Sequence, residues 1–271
     1  MAIHTVFSID GSLYQRWQAE LLIYSHQKVH QPGPLTCLYS AEERPPSFDC
    51  AVFRTNPYSP HPATGDDYPV YNRIGALREW LTLCPPAEDT VLLLDPDCVF
   101  LAACNEEVAR GRPVAQPIYG MDVLMANNPE FLARHGYDAE SVQCVGVPVL
   151  IHRDDLRALL PLYMRKTEEI RGNEASRAFA GWISDMWGYA FAAAELGLRH
   201  ERRDLARWQV EDSTDLPLIH YCYTSASEDG QWQWDKRTYR PWNPVPAPPP
   251  DVPQATIALI SMLNEFAKTQ R

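Results

Sequence analysis

Two aspartates separated by a proline, Asp95-Pro96-Asp97, are the strongest chemical signal in the sequence. They directly follow the apolar run 91–94, which is typical of a strand buried on both faces of a mainly parallel sheet. Open α/β sheets bind ligands at the carboxyl ends of such strands, and hard oxygen donors suit Mg²⁺ or Mn²⁺ holding a diphosphate. Because D-x-D often arises by chance, a solvated turn with a capping aspartate is the alternative at this point.

A histidine and a lysine near the other end of the chain could complete such a site. His220 closes the apolar run Leu218-Ile219-His220, and an imidazole is a good Mn²⁺ ligand when a neighbour fixes its other nitrogen. Lys236 follows in Trp232-Gln233-Trp234-Asp235-Lys236 and could reach the same diphosphate as a point charge. The alternatives are a histidine satisfied in the core, tryptophans that only pack, and a solvated lysine.

The segment 181–189 places one carboxylate, Asp185, among aromatic and small residues. A carboxylate on an apolar helix needs a partner or a function, and the rings, Trp182 among them, could form a platform for a sugar. Alternatively the aromatic residues belong to the core, and an arginine such as Arg177 or Arg202 neutralises Asp185.

The elements that must position these residues alternate along the chain. Hydrophobic patterns predict strands over 4–8, 35–39, 91–94, 147–151 and 217–221, and helices over 12–29, 73–83, 155–166, 182–196 and 255–269, with Asn72 capping the second helix. This alternation predicts an α/β sandwich around a twisted sheet. Seven of the thirteen residues in 241–253 are proline, which predicts an extended surface strap before the terminal helix. We expect that helix to dock through Ile257, Leu259, Ile260, Leu263 and Phe266.

Composition narrows the class of protein. The 271 residues carry a net charge of −11, which disfavours a general nucleic-acid coat or a binder of anionic membranes, because both need clustered Lys and Arg. The one basic cluster, at Arg199, Arg202, Arg203 and Arg207, is interspersed with acidic residues.

Seven cysteines without a C-x-x-C pair indicate neither a disulfide framework nor a zinc knuckle. With no apolar span and no basic leader at residues 1–8, we expect a soluble, cytoplasmic protein.

Several short motifs resemble, in the same order, those of the plant peptidyl-serine α-galactosyltransferases and hydroxyproline arabinosyltransferases. The resemblance covers about residues 3–240. The motifs are His4-Thr5-Val6-Phe7-Ser8, Trp17-Gln18, Gln31-Pro32-Gly33-Pro34, Tyr68-Pro69 with Asn72, Leu94-Asp95-Pro96-Asp97, Asp154-Asp155-Leu156, Lys166-Thr167-Glu168, Gly181-Trp182-Ile183-Ser184, Gly188-Tyr189 and His220-Tyr221.

The resemblance implies a GT-A type, Rossmann-like α/β sandwich with a mainly parallel central sheet over 1–240, and a strap and helix over 241–271 that pack on it. It implies a retaining glycosyltransferase that uses a UDP-sugar and Mn²⁺ or Mg²⁺. The implied roles are as follows: Asp95, Asp97 and His220 bind the metal, Lys236 contacts the diphosphate, Thr5 and Phe7 line the uridine pocket, Asn72 and Arg73 hold the ribose or the sugar, and Asp185 faces the reacting sugar. Trp182, Ser184 and Trp232 are further candidates for substrate contact.

The sequence also departs from this family. The plant enzymes carry a membrane anchor, and the galactosyltransferase a long extension, which these 271 residues lack; Asp185 stands where the family tends to have glutamate. The sequence leaves the sugar open: it can be galactose, glucose or arabinofuranose. It also leaves open the hydroxyl acceptor, which can be a peptide Ser or hydroxyproline or a glycoside. The alternatives are a phage-type transferase acting on hydroxymethylated DNA bases, a binding module without turnover, and a metal-dependent phosphohydrolase.

Overall fold

Strands and helices alternate along the chain in a computed structural model that describes residues 2–270. The strands are β1 (His4–Ile9), β2 (Leu35–Ser40), β3 (Ala51–Thr55), β4 (Thr90–Leu93), β5 (Cys98–Phe100), β6 (Val114–Pro117), β7 (Val145–His152), β8 (Glu201–Arg202), β9 (Ala206–Trp208), β10 (Leu218–His220), β11 (Ser225–Ala226) and β12 (Gln233–Trp234). The helices are α1 (Leu13–Lys28), α2 (Tyr71–Leu83), α3 (Tyr119–Asn127), α4 (Pro129–Arg134), α5 (Arg153–Gly172), α6 (Glu174–Ala180), α7 (Ser184–Glu195) and α8 (Gln254–Thr269), and a 3₁₀ turn at Gly181–Ile183 precedes α7.

The central sheet has seven strands in the order β3-β2-β1-β4-β7-β6-β8. The first four are parallel, β7 is antiparallel to both β4 and β6, and β8 is parallel to β6. The predicted α/β class with a mainly parallel sheet is therefore confirmed. The carboxyl ends of β1 and β4 lie at the same edge, and Asp95 and Asp97 follow β4 there.

Helices cover both faces of this sheet because its strands are apolar on both. Val6 and Val91 pack in the core under α2, α5 and α7, whereas their neighbours Phe7 and Leu92 pack in the core under α1. This alternation follows from the two-residue period of a strand. It leaves polar side chains at the ends of the strands, where they are free to form a site.

Two kinds of local prediction fail. Asn72 does not cap α2, which begins at Tyr71; its Oδ1 accepts hydrogen bonds from the backbone N–H groups of Tyr58 (2.6 Å) and Ser59 (3.0 Å) and so satisfies the preceding loop. The prediction lacks strands β3, β5, β6, β8, β9, β11 and β12 and helices α3, α4 and α6. β3 is a half-exposed edge strand, and α6 has only seven residues, too few to show a helical period.

A smaller sheet, β5-β10-β9, explains how distant residues meet. β10 runs antiparallel to β5, and the register places His220 opposite Cys98. The backbone N–H of Tyr221 also donates to the carbonyl oxygen of Asp97, at 2.9 Å. The pairing of these short strands therefore brings His220 beside Asp97.

The C-terminal segment packs on the N-terminal helix. Buried side chains of α8, including Leu259 and Phe266, share one core with Trp17 and Leu21 of α1. Ile257, one of the five predicted docking residues, is instead 36% exposed. Across residues 2–270, every helix is too short or too polar to cross a lipid bilayer.

Candidate active site

A cleft of about 900 Å³ opens at the carboxyl edge of the central sheet. It brings together nine of the twelve residues that the sequence singles out. They are Phe7, Asn72, Arg73, Asp95, Asp97, Trp182, Asp185, His220 and Lys236.

The other three, Thr5, Ser184 and Trp232, do not line the cleft. Thr5 is fully buried, further from the carboxyl end of β1 than Phe7, and so lies beneath the cleft floor. Ser184 is also buried, and its hydroxyl donates to the carbonyl oxygen of Gly181 at 2.7 Å. Trp232 packs in the C-terminal core, where its Nε1 donates to Pro246. Contact of these three residues with substrate stays a prediction, which their position outside the cleft lining does not support.

Asp97 is the centre of a buried charge cluster. Its Oδ1 lies 3.3 Å from Nε2 of His220, and its Oδ2 forms an ion pair with Nζ of Lys236. Burial opposes ionisation of all three groups, but the attraction between Asp97 and each of the two cations outweighs the effect of burial. It holds the pKa of Asp97 below its ordinary range and the pKa values of His220 and Lys236 above theirs. The cleft thus concentrates positive charge around a single carboxylate.

A second cluster links two carboxylates through Arg73, which lies in the first turn of α2. Its Nη1 donates to Oδ1 of Asp95 at 2.6 Å, and its Nη2 donates to Oδ2 of Asp185 at 2.5 Å. Asp185 thus has an arginine partner, as one of the sequence interpretations required, but the partner is neither Arg177 nor Arg202. Arg202 instead forms an ion pair with Asp122.

Two tyrosines that sequence reasoning did not assign to the site complete the surroundings of Asp185. The Tyr163 hydroxyl donates to its Oδ2 at 3.2 Å, and the Tyr68 hydroxyl lies 2.8 Å from its Oδ1. Burial raises the pKa of both tyrosines, so both remain hydrogen-bond donors at neutral pH. Tyr68 stands in one of the family-like motifs, but nothing in the pattern of α5 distinguishes Tyr163 from a core aromatic residue.

A glycine on α7 brings Asp185 to this position. Helices α5 and α7 pack closely at Gly188, where any side chain would collide with Oγ1 of Thr167. Asp185 lies one turn before Gly188, and Tyr163 one turn before Thr167. The close approach of the two helices therefore sets the contact between Tyr163 and Asp185.

The residues at Asp97 fit a divalent cation. Among residues 2–270, one group of possible metal ligands lies within 4.8 Å of one another: Asp97, Cys98 and His220. Adjacent donors of an octahedral ion bound at about 2.1 Å are about 3.0 Å apart, close to the Asp97–His220 separation. Nδ1 of His220 is buried without a hydrogen-bond partner. Burial raises the pKa of the Cys98 thiol, which makes it a poor ligand for a hard cation.

Asp95 is not in that group. Its carboxylate is 29% exposed and accepts from Arg73, so the structure joins it to Asp185. The role of Asp95 as a metal ligand stays a prediction.

Comparison with known proteins identifies the family of this chain. The profile of the hydroxyproline O-arabinosyltransferase family N-terminal domain matches residues 3–202. The chain is 31% identical over 274 residues to the peptidyl serine alpha-galactosyltransferase of Arabidopsis thaliana, a match that covers 91% of this chain and 34% of that protein. It is 28% identical over 295 residues to hydroxyproline O-arabinosyltransferase 3 of the same plant, covering 98% and 80%.

A solved structure supports the fold. The galactosyltransferase LgtC, crystallised with donor and acceptor sugar analogues, superposes with a TM-score of 0.51 at 12% identity, covering 98% of this chain and 96% of that one. At this identity the likeness concerns the fold alone, and it agrees with the GT-A type architecture expected from the sequence. The chain spans about a third of the galactosyltransferase of Arabidopsis thaliana and most of the arabinosyltransferase. With the profile match over most of its length, the chain belongs to the hydroxyproline O-arabinosyltransferase family of glycosyltransferases.

Proposed function

We propose that this protein transfers a sugar from a UDP-sugar to a peptide serine or hydroxyproline, with a divalent cation bound and with retention of the anomeric configuration. The observation that carries the proposal is one cleft that holds two charge clusters. Asp97, His220 and Lys236 form the first, and Asp95, Arg73 and Asp185 form the second. The first cluster suits a diphosphate and the second suits the sugar attached to it.

The first cluster would act on the leaving group. Asp97 and His220 would hold Mn²⁺ or Mg²⁺. The bound cation would supply positive charge that stabilises the departing diphosphate. Lys236 adds an ammonium that can turn from Asp97 to a phosphate oxygen. Its contribution grows as negative charge develops on the leaving UDP, because the interaction is then stronger than with bound substrate.

The second cluster would orient the sugar. Hydrogen bonds hold both carboxylate oxygens of Asp185. Arg73 and Tyr163 donate to Oδ2, and Tyr68 donates to Oδ1. Such a carboxylate offers its remaining lone pairs to sugar hydroxyls without reorganising. Trp182, which meets the Tyr68 ring edge-on at 5.8 Å, adds an exposed aromatic face beside it.

Three of the four arginines that could have formed a DNA groove are engaged with carboxylates, and the fourth, Arg199, donates to the backbone carbonyl oxygen of Glu140. Arg202 pairs with Asp122, Arg203 with Glu106 and Arg207 with Asp215. A duplex substrate needs unpaired cations along its backbone path. The peptide acceptors named for the plant relatives therefore fit this chain better than hydroxymethylated DNA.

Release of UDP tests the proposal. The purified protein is incubated with UDP-galactose, UDP-glucose or UDP-arabinofuranose and Mn²⁺, with and without serine or hydroxyproline peptides. We expect UDP release that rises with peptide and stops in EDTA. Binding of UDP without any release would instead indicate a binding module, and release of inorganic phosphate would indicate a phosphohydrolase.

Exchange of cations at Asp97 can be tested through Lys236. A metal ion held by Asp97 competes with the ammonium of Lys236 for the charge of this carboxylate, so Lys236→Met is expected to bind Mn²⁺ about tenfold more tightly in calorimetry with the metal alone. Turnover should nevertheless fall by about 10² to 10³, because the leaving UDP loses a charged donor. Lys28→Met, which removes a surface lysine paired with Glu265, is the control. Unchanged or weaker Mn²⁺ binding by Lys236→Met would contradict this exchange.

A further inference from the structure

The backbone of Trp242 adopts a conformation that is rare for a large side chain. Its φ is +61°, and it takes the third position of a turn in which the N–H of Asn243 donates to the carbonyl oxygen of Arg240 at 3.2 Å. Glycine is the usual residue at such a position, because a side chain is strained at positive φ. A bulky residue keeps this conformation only where its surroundings hold it, and strain of this kind is often found beside functional sites.

Contacts with helix α1 hold the indole ring of Trp242. Its Nε1 donates to Oε2 of Glu20 at 2.6 Å, and the guanidinium of Arg16 lies 5.6 Å from its ring centre. Arg16 and Glu20 also form an ion pair with each other, in which Nε lies 2.9 Å from Oε1. The three side chains therefore form one connected group, which fixes the turn at Trp242 to α1.

This turn ends the loop that carries Lys236. The loop begins after Trp234, which is buried in the C-terminal core. Within the loop, the carbonyl oxygen of Asp235 accepts from the N–H of Tyr239 at 3.0 Å. The Tyr239 ring meets Trp17 of α1 edge-on, with ring centres 4.9 Å apart. The loop is therefore fixed at both ends, and its second half lies on α1.

We infer that Trp242 is a positioning residue, which keeps the ammonium of Lys236 in the cleft by fixing the end of its loop to α1. A lysine side chain is flexible, so its ammonium stays at Asp97 only if the backbone that carries it stays in place. Trp242 does not line the cleft, so it acts through Lys236 and not on substrate. Its effect on catalysis rests on the proposed function, in which the same ammonium faces the leaving UDP.

The reactivity of two lysines tests this without turnover. Lys236 and Lys166 have similarly sheltered side chains, 14% and 12% exposed, and both are paired with carboxylates. The protein is treated with acetic anhydride, and the acetylation of each lysine over time is measured by mass spectrometry. Trp242→Gly suits the positive φ of the turn but removes the indole. In this variant we expect Lys236 to be acetylated about tenfold faster and Lys166 at an unchanged rate.

Tyr24→Ala is the matched control. Tyr24 is another half-buried aromatic residue of α1 that contacts the C-terminal segment, with its ring centre 5.5 Å from that of Phe266, and its loss should leave the acetylation of Lys236 unchanged. Turnover gives a second readout. Trp242→Gly should lower kcat about tenfold with little change in KM. It should cause no further loss when Lys236→Met is already present, because Trp242 acts through that lysine.

Two outcomes would overturn the inference. One is an unchanged acetylation rate of Lys236 in Trp242→Gly; the other is an increase that Lys166 shows equally, which would indicate a general loosening of the fold. The UDP-release assay separates this from the proposed function. Release of UDP by the parent protein, with Lys236 still sheltered in Trp242→Gly, removes the positioning role alone. Faster acetylation of Lys236 in Trp242→Gly, without release of UDP by the parent from any donor, removes the transferase activity alone.

Discussion

Asp97→Ala is expected to abolish transfer, with a fall in turnover of about 10³ or more. This carboxylate is the anionic partner shared by His220 and Lys236, and without it the two positive charges repel each other while the proposed cation loses a ligand. The variant should also lose most of its affinity for Mn²⁺ in calorimetry. Because removing one member of a buried ion pair costs about 3–5 kcal/mol, its melting temperature must be measured as well.

Asp97→Asn separates the chemical effect from the loss of stability. The amide has the same shape and its oxygen can still accept a hydrogen bond, so less stability should be lost than in Asp97→Ala, while Mn²⁺ binding and transfer are still lost. Asp215→Asn, at an exposed aspartate paired with Arg207, is the matched control and should behave as the parent. If Asp97→Asn bound UDP in Mn²⁺ as the parent does, the assignment of the cation to Asp97 would be withdrawn.

Much of the first cluster could be predicted from sequence because its signals are local. A continuous apolar run ending in Asp95-Pro96-Asp97 places carboxylates at a strand end whatever the rest of the chain does. His220 likewise closes a short apolar strand. What brings the two together is the antiparallel register of β5 and β10, which strands of three residues each do not reveal in sequence.

The second cluster was not predictable in the same way. Two of its members, Arg73 and Asp185, lie on α2 and α7, and the packing of these helices with α5, which carries Tyr163, decides which arginine meets Asp185. Arg73 stands next to Asn72, for which a cap was predicted, and was expected to bind substrate directly. Sequence periodicity shows that a side chain faces the core side of a helix, but it does not show which charged partner faces it.

The other large effect concerns Asp185 and the stereochemical course. A retaining transfer needs either a carboxylate nucleophile behind the anomeric carbon or a front-face route in which a departing phosphate oxygen takes the acceptor proton. Both oxygens of Asp185 already accept hydrogen bonds, one of them from a guanidinium, and these contacts reduce its nucleophilicity. The structure therefore favours an orienting role.

Asp185→Asn should then keep about 1–10% of the parent's turnover, because the amide oxygen can accept from Arg73 and the amide N–H₂ can donate to the Tyr68 hydroxyl. A nucleophile replaced by an amide would instead lose about 10⁴ or more, and in Asp185→Ala added azide would yield product of opposite configuration. Asp155→Asn changes a buried aspartate of α5 that accepts from the backbone N–H of Gly111 outside the cleft, and serves as the control.

The anomeric proton of the product, observed by NMR, decides between these routes. Retained configuration with partial activity in Asp185→Asn supports the front-face route, in which Arg73, Tyr68 and Tyr163 hold Asp185 to position the sugar. An inverted product from the unaltered enzyme would contradict retention altogether. Full activity of Asp185→Asn would remove the charge of Asp185 from the mechanism, since Arg73 would then need only Asp95 as its counter-ion.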